Sequence, residues 1–261
     1  MPEPVLRLER EGACARVVLA RPAVRNAFNA ELIAALRETF DEIGRDDGVR
    51  AVVLTGEGPV FCGGADIAWM RSALELDEAA NMRDAEAMSD MFRAIDRCPK
   101  PVIARVHGAA IAGGSGLCAV ADAVVAEDAA IFGFTETKLG IIPAVITPFV
   151  IAKIGVSHAR RLFLTGERFG AARAHAIGLV HEVVTANELD AAIGRIVAEL
   201  LTAGPRAIAA AKALLPRVLA APYDDTRAIT AAAIARQRVT DEAQDGLRAF
   251  LERRPAAWAE R

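Results

Sequence analysis

The sequence predicts an α/β fold, and three observations predict it. Short apolar runs alternate with stretches of helical periodicity through the first three quarters of the chain. Two of those runs lead into turns made almost wholly of glycine, alanine and other small residues. From Leu189 onward nearly everything reads as helix, with Pro205, Pro216 and Pro222 as punctuation. The resulting division is an α/β core over residues 1–203 and a helical C-terminal region over 204–261, with the change between Thr202 and Pro205.

Val5 to Leu8 and Cys14 to Leu19 read as strands joined by a turn at Glu11-Gly12. Arg21-Pro22 breaks the pattern. Leu32, Ile33, Leu36, Phe40 and Ile43 then recur at helical spacing, with Asn29 as N-cap and Gly44 as the expected stop. Ala51 to Leu54 is a buried-strand run ended by Gly56 and Gly58-Pro59. Met82 to Ile95 reads as helix, and Pro101 to Val106 as strand. A further helix starts inside Ala109 to Gly116 and runs to about Ala121. Ala123 to Ala126 is a strand, Ala171 to Ile177 a short helix, and Leu179 to Val184 a short strand.

The bulk properties exclude several classes. With 53% hydrophobic residues the chain can bury a large core, and with 5% aromatic residues that core must be built from Ala, Val, Leu and Ile. The net charge of −3 comes without any basic block, so nucleic acid is not an expected partner. No apolar run is long enough to span a membrane, and the charged N-terminus has no signal-peptide pattern, so a cytoplasmic protein is expected. Cys14, Cys62, Cys98 and Cys118 form no CxxC pair; they read as small buried hydrophobes and not as a metal or redox site.

Chemistry concentrates in the two small-residue turns, Phe61 to Ile67 and Gly108 to Gly116, each following a strand. Such turns let a ligand approach the backbone, and a helix starting there points free N–H groups outward. Two side by side could aim two amides at one oxygen; the competing reading is that the glycines only permit tight packing. Gly114 to Ala119 also fits G-x-G-x-x-A, with Glu136 20 residues after Gly116, imitating a dinucleotide fingerprint. Seven residues separate Val106 from Gly114, however, so the turn does not come directly off the strand. Ser115 lies in GGSG and not in GxSxG, and His107, His158, His175 and His181 form no ligand pair; only His107 lies near a glycine turn. Glu136 stands in the apolar stretch Phe132 to Pro143, where a carboxyl group is tuned toward proton transfer. A surface salt bridge to Lys138 or a distant arginine is the alternative for it.

At these residues the chain resembles the enoyl-CoA hydratase/isomerase (crotonase) superfamily. The resemblance runs from Arg21–Ala27 through Phe61–Ile67, Val106–Gly116, Ala121-Asp122, Phe132–Pro143, Leu164–Phe169 and Ala176–Val180 to Asp241–Phe250. It implies a ββα spiral followed by a helical trimerisation region, with a homotrimer or homohexamer as the assembly. It also implies an acyl-CoA thioester substrate, with coenzyme A entering only as part of the substrate and no separate cofactor or metal. By the same resemblance the N–H groups of Ala65 and Gly113 form an oxyanion hole and Glu136 carries the proton. Arg25, Ala27, Gly63, Asp66, Ile67 and Gly114 line the CoA path, with Phe250 and Arg253 reaching it from a neighbouring subunit.

One departure matters. Two-glutamate hydratases of the family carry their first acid three residues after the glycine matching Gly113, and this chain has Gly116 there. No Asp or Glu lies between Glu136 and Glu167, and Glu127 and Asp128 read as solvated. A single carboxylate leaves hydration, 3-enoyl to 2-enoyl isomerisation and decarboxylation open, and a non-catalytic acyl-CoA-binding subunit as a reading of another class. The stretch Phe134 to Ile146 resembles the branch of methylglutaconyl-CoA and carboxygeranoyl-CoA hydratases, which favours hydration of a short or branched 2-enoyl-CoA. Trp69, Met70, Met88, Phe134 and Ile142 are candidates for the acyl pocket wall.

Overall fold

The computed structural model of the chain describes residues 4–259, so the outermost residues of both expected regions, 1–3 and 260–261, lie outside the described residues. An antiparallel pair opens the chain, β1 (Leu6–Glu11) and β2 (Cys14–Leu19). Helix α1 (Ala30–Arg45) begins where the Asn29 side chain accepts the Leu32 N–H, and it buries the five expected apolar residues. It does not stop at Gly44. A Cβ there would lie 3.3 Å from Pro99, so this glycine serves close packing, and the helix ends at Asp46 instead.

Strand β3 (Ala51–Gly56) is followed by α2 (Ile67–Ala73) and α3 (Glu78–Asp96). Then come β4 (Val102–Val106), β5 (Ala109–Ile111), α4 (Gly113–Val120), β6 (Ala123–Glu127) and β7 (Ile131–Gly133). Helix α5 (Thr147–Thr165) is broken at Gly155, whose φ of 74° is outside the helical region. The core closes with β8 (Arg168–Gly170), α6 (Ala171–Ala176) and β9 (Glu182–Val184). Helices α7 (Leu189–Thr202), α8 (Pro205–Ala220), α9 (Tyr223–Arg238) and α10 (Asp241–Glu252) complete the chain. Pro205 sits in the first turn of α8 and Pro222 caps α9, as punctuation should. Pro216 does not punctuate. It lies inside α8 on an exposed face, where water can satisfy the carbonyl that the missing N–H frees.

Six strands form one sheet in the order β1-β2-β3-β4-β6-β9, parallel throughout except for the opening pair. A small second sheet has the order β5-β7-β8. The chain winds between them. β3, β4 and β6 each lie in the large sheet, each is followed by a short extended segment at the small sheet, and each then leads into a helix. Strands buried on both faces explain the continuous apolar runs of β3, β4 and β6. On one face Val53, Ile103 and Val125 pack against Leu189, Ala192 and Ile193 of α7. No helix among the described residues is long and apolar enough to cross a membrane, and none of their His, Cys, Asp and Glu side chains cluster to hold a metal.

Arg50 joins the C-terminal residues to the core. Its guanidinium donates to the carbonyls of Leu201 (2.7 Å), Ala203 (2.9 Å) and Trp258 (2.7 Å), while the Trp258 indole donates to Thr202. Arg50 is buried, so its loss leaves three carbonyls without their charged donor. Arg50→Met should lower unfolding free energy by about 2–3 kcal/mol. Denaturant titration measures this, and an unmoved midpoint would remove the clamp from the account of stability.

Candidate active site

The site is set by a register. Cys62 forms an isolated parallel bridge with Ala110; its N–H donates to Ala109 O and its carbonyl accepts the Ile111 N–H, each at 3.0 Å. Ala110 in turn pairs with Phe132. Three segments of chain therefore run level. Three residues beyond Cys62 and Ala110 stand Ala65 and Gly113, and four beyond Phe132 stands Glu136.

Neither the Ala65 nor the Gly113 N–H donates a hydrogen bond to any described residue. At Ala65 the adjoining groups are taken: Phe28 N–H donates to Gly64 O (2.7 Å), and Asp66 N–H to Phe28 O (2.9 Å). Gly113 is the first residue of α4, where N–H groups have no partner inside the helix. Ala112 turns it outward at φ 52° and ψ −116°, a conformation that costs an L-residue about 1–3 kcal/mol. The glycines around the pair are required by close approach. A Cβ on Gly113 would lie 2.8 Å from the Phe28 ring, and one on Gly114 would lie 2.5 Å from the Cys62 carbonyl.

A buried polar network holds these turns. Arg21 donates to Asp66 Oδ2 (2.8 Å) and to the Ala27 carbonyl, and Asp66 also accepts the Ala68 N–H that caps α2. Burial pushes the Asp66 carboxyl up, but Arg21 and the Ala68 N–H outweigh it and hold the group below the usual carboxylate range. Asn26 is fully buried at φ 55°; its amide donates to the carbonyls of Glu57 and Val60, while its oxygen accepts the Arg21 N–H. Sequence assigns no site role to Arg21, Asn26, Phe28 or Ala112: positive φ at Ala112 leaves no mark in a residue type that usually avoids it, and the other three act through contacts with residues distant in the chain.

Glu136 begins a single 3₁₀ turn, Glu136–Leu139, and forms no salt bridge with Lys138. Its Oε2 is buried with no hydrogen-bond partner among the described residues. Burial raises its pKa, opposed only by its own N–H. Glu136, Ala65 and Gly113 all line one cavity of about 360 Å³, with Trp69, Met70, Met88 and Ile142 in the wall. Phe134 is elsewhere, packed in the core with its ring centroid 5.2 Å from Phe163.

The remaining candidates divide. Arg25 is exposed beside Gly63, whose N–H donates to the Arg25 carbonyl at 2.8 Å. Ala27 is buried, both oxygens of Asp66 are engaged, and Ile67 is exposed at the start of α2. Phe250 and Arg253 lie at the end of α10, exposed and outside the cavity wall of this subunit. Cys62 is no nucleophile: burial pushes its thiol up to about 12 and Sγ donates to Asn26 O. Ser115 is buried and donates to Ala110 O (2.6 Å), which locks α4 to β5. Glu127 is not simply solvated; its carboxylate accepts the Gly108 N–H at 2.6 Å. His107 Nε2 is 2.9 Å from Gly58 O, away from the cavity wall.

Hydrocarbon fills the space at Gly116. A Cβ there would stand 2.5 Å from Ile146 Cγ2 and 3.0 Å from Phe92 Cζ. Glu136 is thus left with two free amides and no acid at position 116. Two free N–H donors and one half-buried carboxyl in the same cavity wall can stabilise an oxyanion while a proton moves between neighbouring atoms.

The family profile described as enoyl-CoA hydratase/isomerase matches residues 9–261. A short-chain-enoyl-CoA hydratase of Clostridium acetobutylicum is 32% identical over 249 residues, covering 95% of this chain and 94% of that protein. A crotonyl-CoA hydratase of Syntrophomonas wolfei is 32% identical over 252 residues, covering 95% of each. The crystal structure of an enoyl-CoA hydratase from Shewanella pealeana superposes with a TM-score of 0.94 at 35% identity, covering 97% of this chain and 96% of that one.

Because the space at position 116 is occupied, Gly116→Ala should cost about 1–3 kcal/mol. Combined with Ile146→Ala it should cost less than the two single changes added together, since the clashing methyl is gone. A double-mutant cycle by thermal or denaturant unfolding reads this; strict additivity would show that Ile146 does not occupy the space.

Proposed function

The chain belongs to the enoyl-CoA hydratase/isomerase family of the crotonase superfamily, and on that premise we propose that it hydrates a short or branched 2-enoyl-CoA with Glu136 as its sole acid–base group. The observation that carries this reading is the half-buried Glu136 carboxyl, its Oε2 unpartnered, in the same cavity wall as the free N–H groups of Ala65 and Gly113. The thioester oxygen accepts both N–H groups. Water attacks the β-carbon and gives its proton to Glu136 while the π electrons move onto the thioester oxygen. The enolate then collapses, and its α-carbon takes the proton back from Glu136. Each amide contributes about 3–4 kcal/mol to the transition state, because the negative charge on oxygen peaks there. The raised proton affinity of Glu136 suits both halves, since a strongly ionised carboxylate would not return the proton readily.

A second reading is favoured by one observation, the hydrocarbon at Gly116. Isomerisation of a 3-enoyl-CoA needs only one group, which removes a proton from the α-carbon and returns it to the γ-carbon. The same two amides hold the dienolate. In either reaction residues 1–203 form the catalytic core. Residues 204–261 form an assembly region for a homotrimer or homohexamer. Leu219, Tyr223, Val239, Phe250 and Leu251, all exposed in the single chain, support that assignment. Arg25, exposed beside the Gly63 turn, is assigned to the CoA path, and Phe250 and Arg253 to that of a neighbouring subunit.

Glu136→Gln should lower kcat at least about 1000-fold and leave acyl-CoA affinity within a few-fold, because shape is kept and the proton carrier is lost. In the wild type, kcat/KM should fall as pH drops through a pKa above the ordinary glutamate range, since the base must be ionised. Assays on crotonyl-CoA and on trans-3-hexenoyl-CoA separate the two reactions. Undiminished turnover by Glu136→Gln would remove Glu136 from the mechanism.

Stability should move the other way. The folded-state pKa lies above the unfolded one, so stability is greatest below the unfolded pKa and declines as pH rises through the folded pKa. Glu136→Gln should therefore be more stable than the wild type at neutral pH, with the gain vanishing in acid. Melting curves at two pH values measure it.

A further inference from the structure

The chemistry of the cavity wall narrows the acyl group. Besides Glu136, the polar side chains on the wall are Asp84 and Asn81 of α3, together with the Trp69 indole. Asn81 spends its amide hydrogens on the carbonyls of Leu76 and Asp77, each at 3.1 Å, and so has only an acceptor left to offer. Asp84 is half-buried and forms no ion pair with a described residue. No lysine, arginine or histidine among the described residues lines the cavity. The rest of the wall is hydrocarbon, chiefly Met70, Met88, Ile141 and Ile142.

We propose that this wall selects uncharged acyl chains and that Asp84 is a specificity residue rejecting acyl groups that carry a second carboxylate. The inference rests on the cavity being the acyl site of the reaction proposed above. A carboxylate on the acyl chain would enter a cavity whose wall already holds two acidic side chains, and would give up water without gaining a cation. One neutral indole N–H does not offset that loss. The dicarboxylic substrates of the branch that Phe134 to Ile146 resembles are therefore excluded on electrostatic grounds, and so is a decarboxylase substrate. A plain alkenoyl chain meets no such penalty, because its tail needs only the hydrocarbon wall.

The test compares ligands matched in length and different in charge, on the full-length enzyme. Calorimetric titration with saturated, unreactive hexanoyl-CoA and glutaryl-CoA reads binding independently of the reaction. Hexanoyl-CoA should bind about 100-fold more tightly. The kcat/KM ratio of trans-2-hexenoyl-CoA to glutaconyl-CoA should be at least as large, and Asp84→Asn should shrink both ratios about tenfold. Equal affinity of wild-type enzyme for the two saturated ligands would overturn the inference, as would ratios that Asp84→Asn leaves unmoved. If both 2-enoyl substrates are inert while hexanoyl-CoA still binds in preference to glutaryl-CoA, the hydratase reading fails and the charge selection stands.

Discussion

The pairing of Cys62 with Ala110 is the constraint on which the site depends. Parallel strands keep residues level along the sheet, so one bridge between two turns of chain sets the relative height of everything just beyond it. Ala65 and Gly113 stand at the same offset from that bridge, and the Ala110–Phe132 pair carries the same level across to the approach to Glu136. A slip of one residue would shift one amide along the chain by about 3.3 Å relative to the other. The winding between the two sheets explains why the register arises at all. Each turn of chain lays a short extended segment beside its predecessor before a helix begins. Those helix starts are where unpaired N–H groups are found.

Precision at this point is obtained at a local cost. Ala112 is held in strained backbone, Arg25 and Asn26 are both left-handed, and Glu136 keeps one carboxyl oxygen without a partner. Each is unfavourable alone. The surroundings over-determine them. The Ala112 N–H donates to Gly133 O at 2.7 Å, Asn26 is hydrogen-bonded on both sides, and Arg21 links Ala27 to Asp66 across Ala65. The polar network is buried and well supplied with partners, so it resists water entry and keeps the two amides from relaxing toward other acceptors.

How much of this was legible in the sequence differs from element to element. Strands β3, β4 and β6 were legible because both faces are buried, and burial on both faces leaves an unbroken apolar run. Helix α1 was legible from its amphipathic spacing and its Asn29 cap. The small sheet was not, because three-residue strands such as β5, β7 and β8 carry no periodicity that a window can detect. Helices α2 and α5 went unread for another reason: α2 buries no residue, and α5 is interrupted by Gly155. Gly44 and Pro216 were misread because their breaking tendency was weighed without their surroundings, a proline ring in one case and solvent in the other. The pair Ala65 and Gly113 came from resemblance. The residues themselves indicated two small-residue turns able to aim free amides at one oxygen, with tight packing as the competing reading, and did not single out these two positions.

The unpartnered Glu136 carboxyl and the lack of cations in the wall belong to one electrostatic arrangement. A lysine or arginine in the wall would stabilise ionised Glu136 and draw its pKa down toward the ordinary range. It would also offer a partner to a carboxylate on the acyl chain. With no lysine, arginine or histidine of the described residues in the wall, burial outweighs the opposing hydrogen bond from the Glu136 N–H, and the carboxyl keeps the raised proton affinity that the proposed one-acid reaction requires. By the inference above, the same absence leaves a dicarboxylic acyl group no cation to compensate its second charge. Ile146 and Phe92 extend the effect by keeping position 116 dry, since water or a second acid there would raise the local dielectric and share the proton. In the proposed reaction, reactivity and substrate selection are then two consequences of the same hydrocarbon wall. A change that installs a cation to accept a charged substrate must weaken Glu136 as the group that returns the proton.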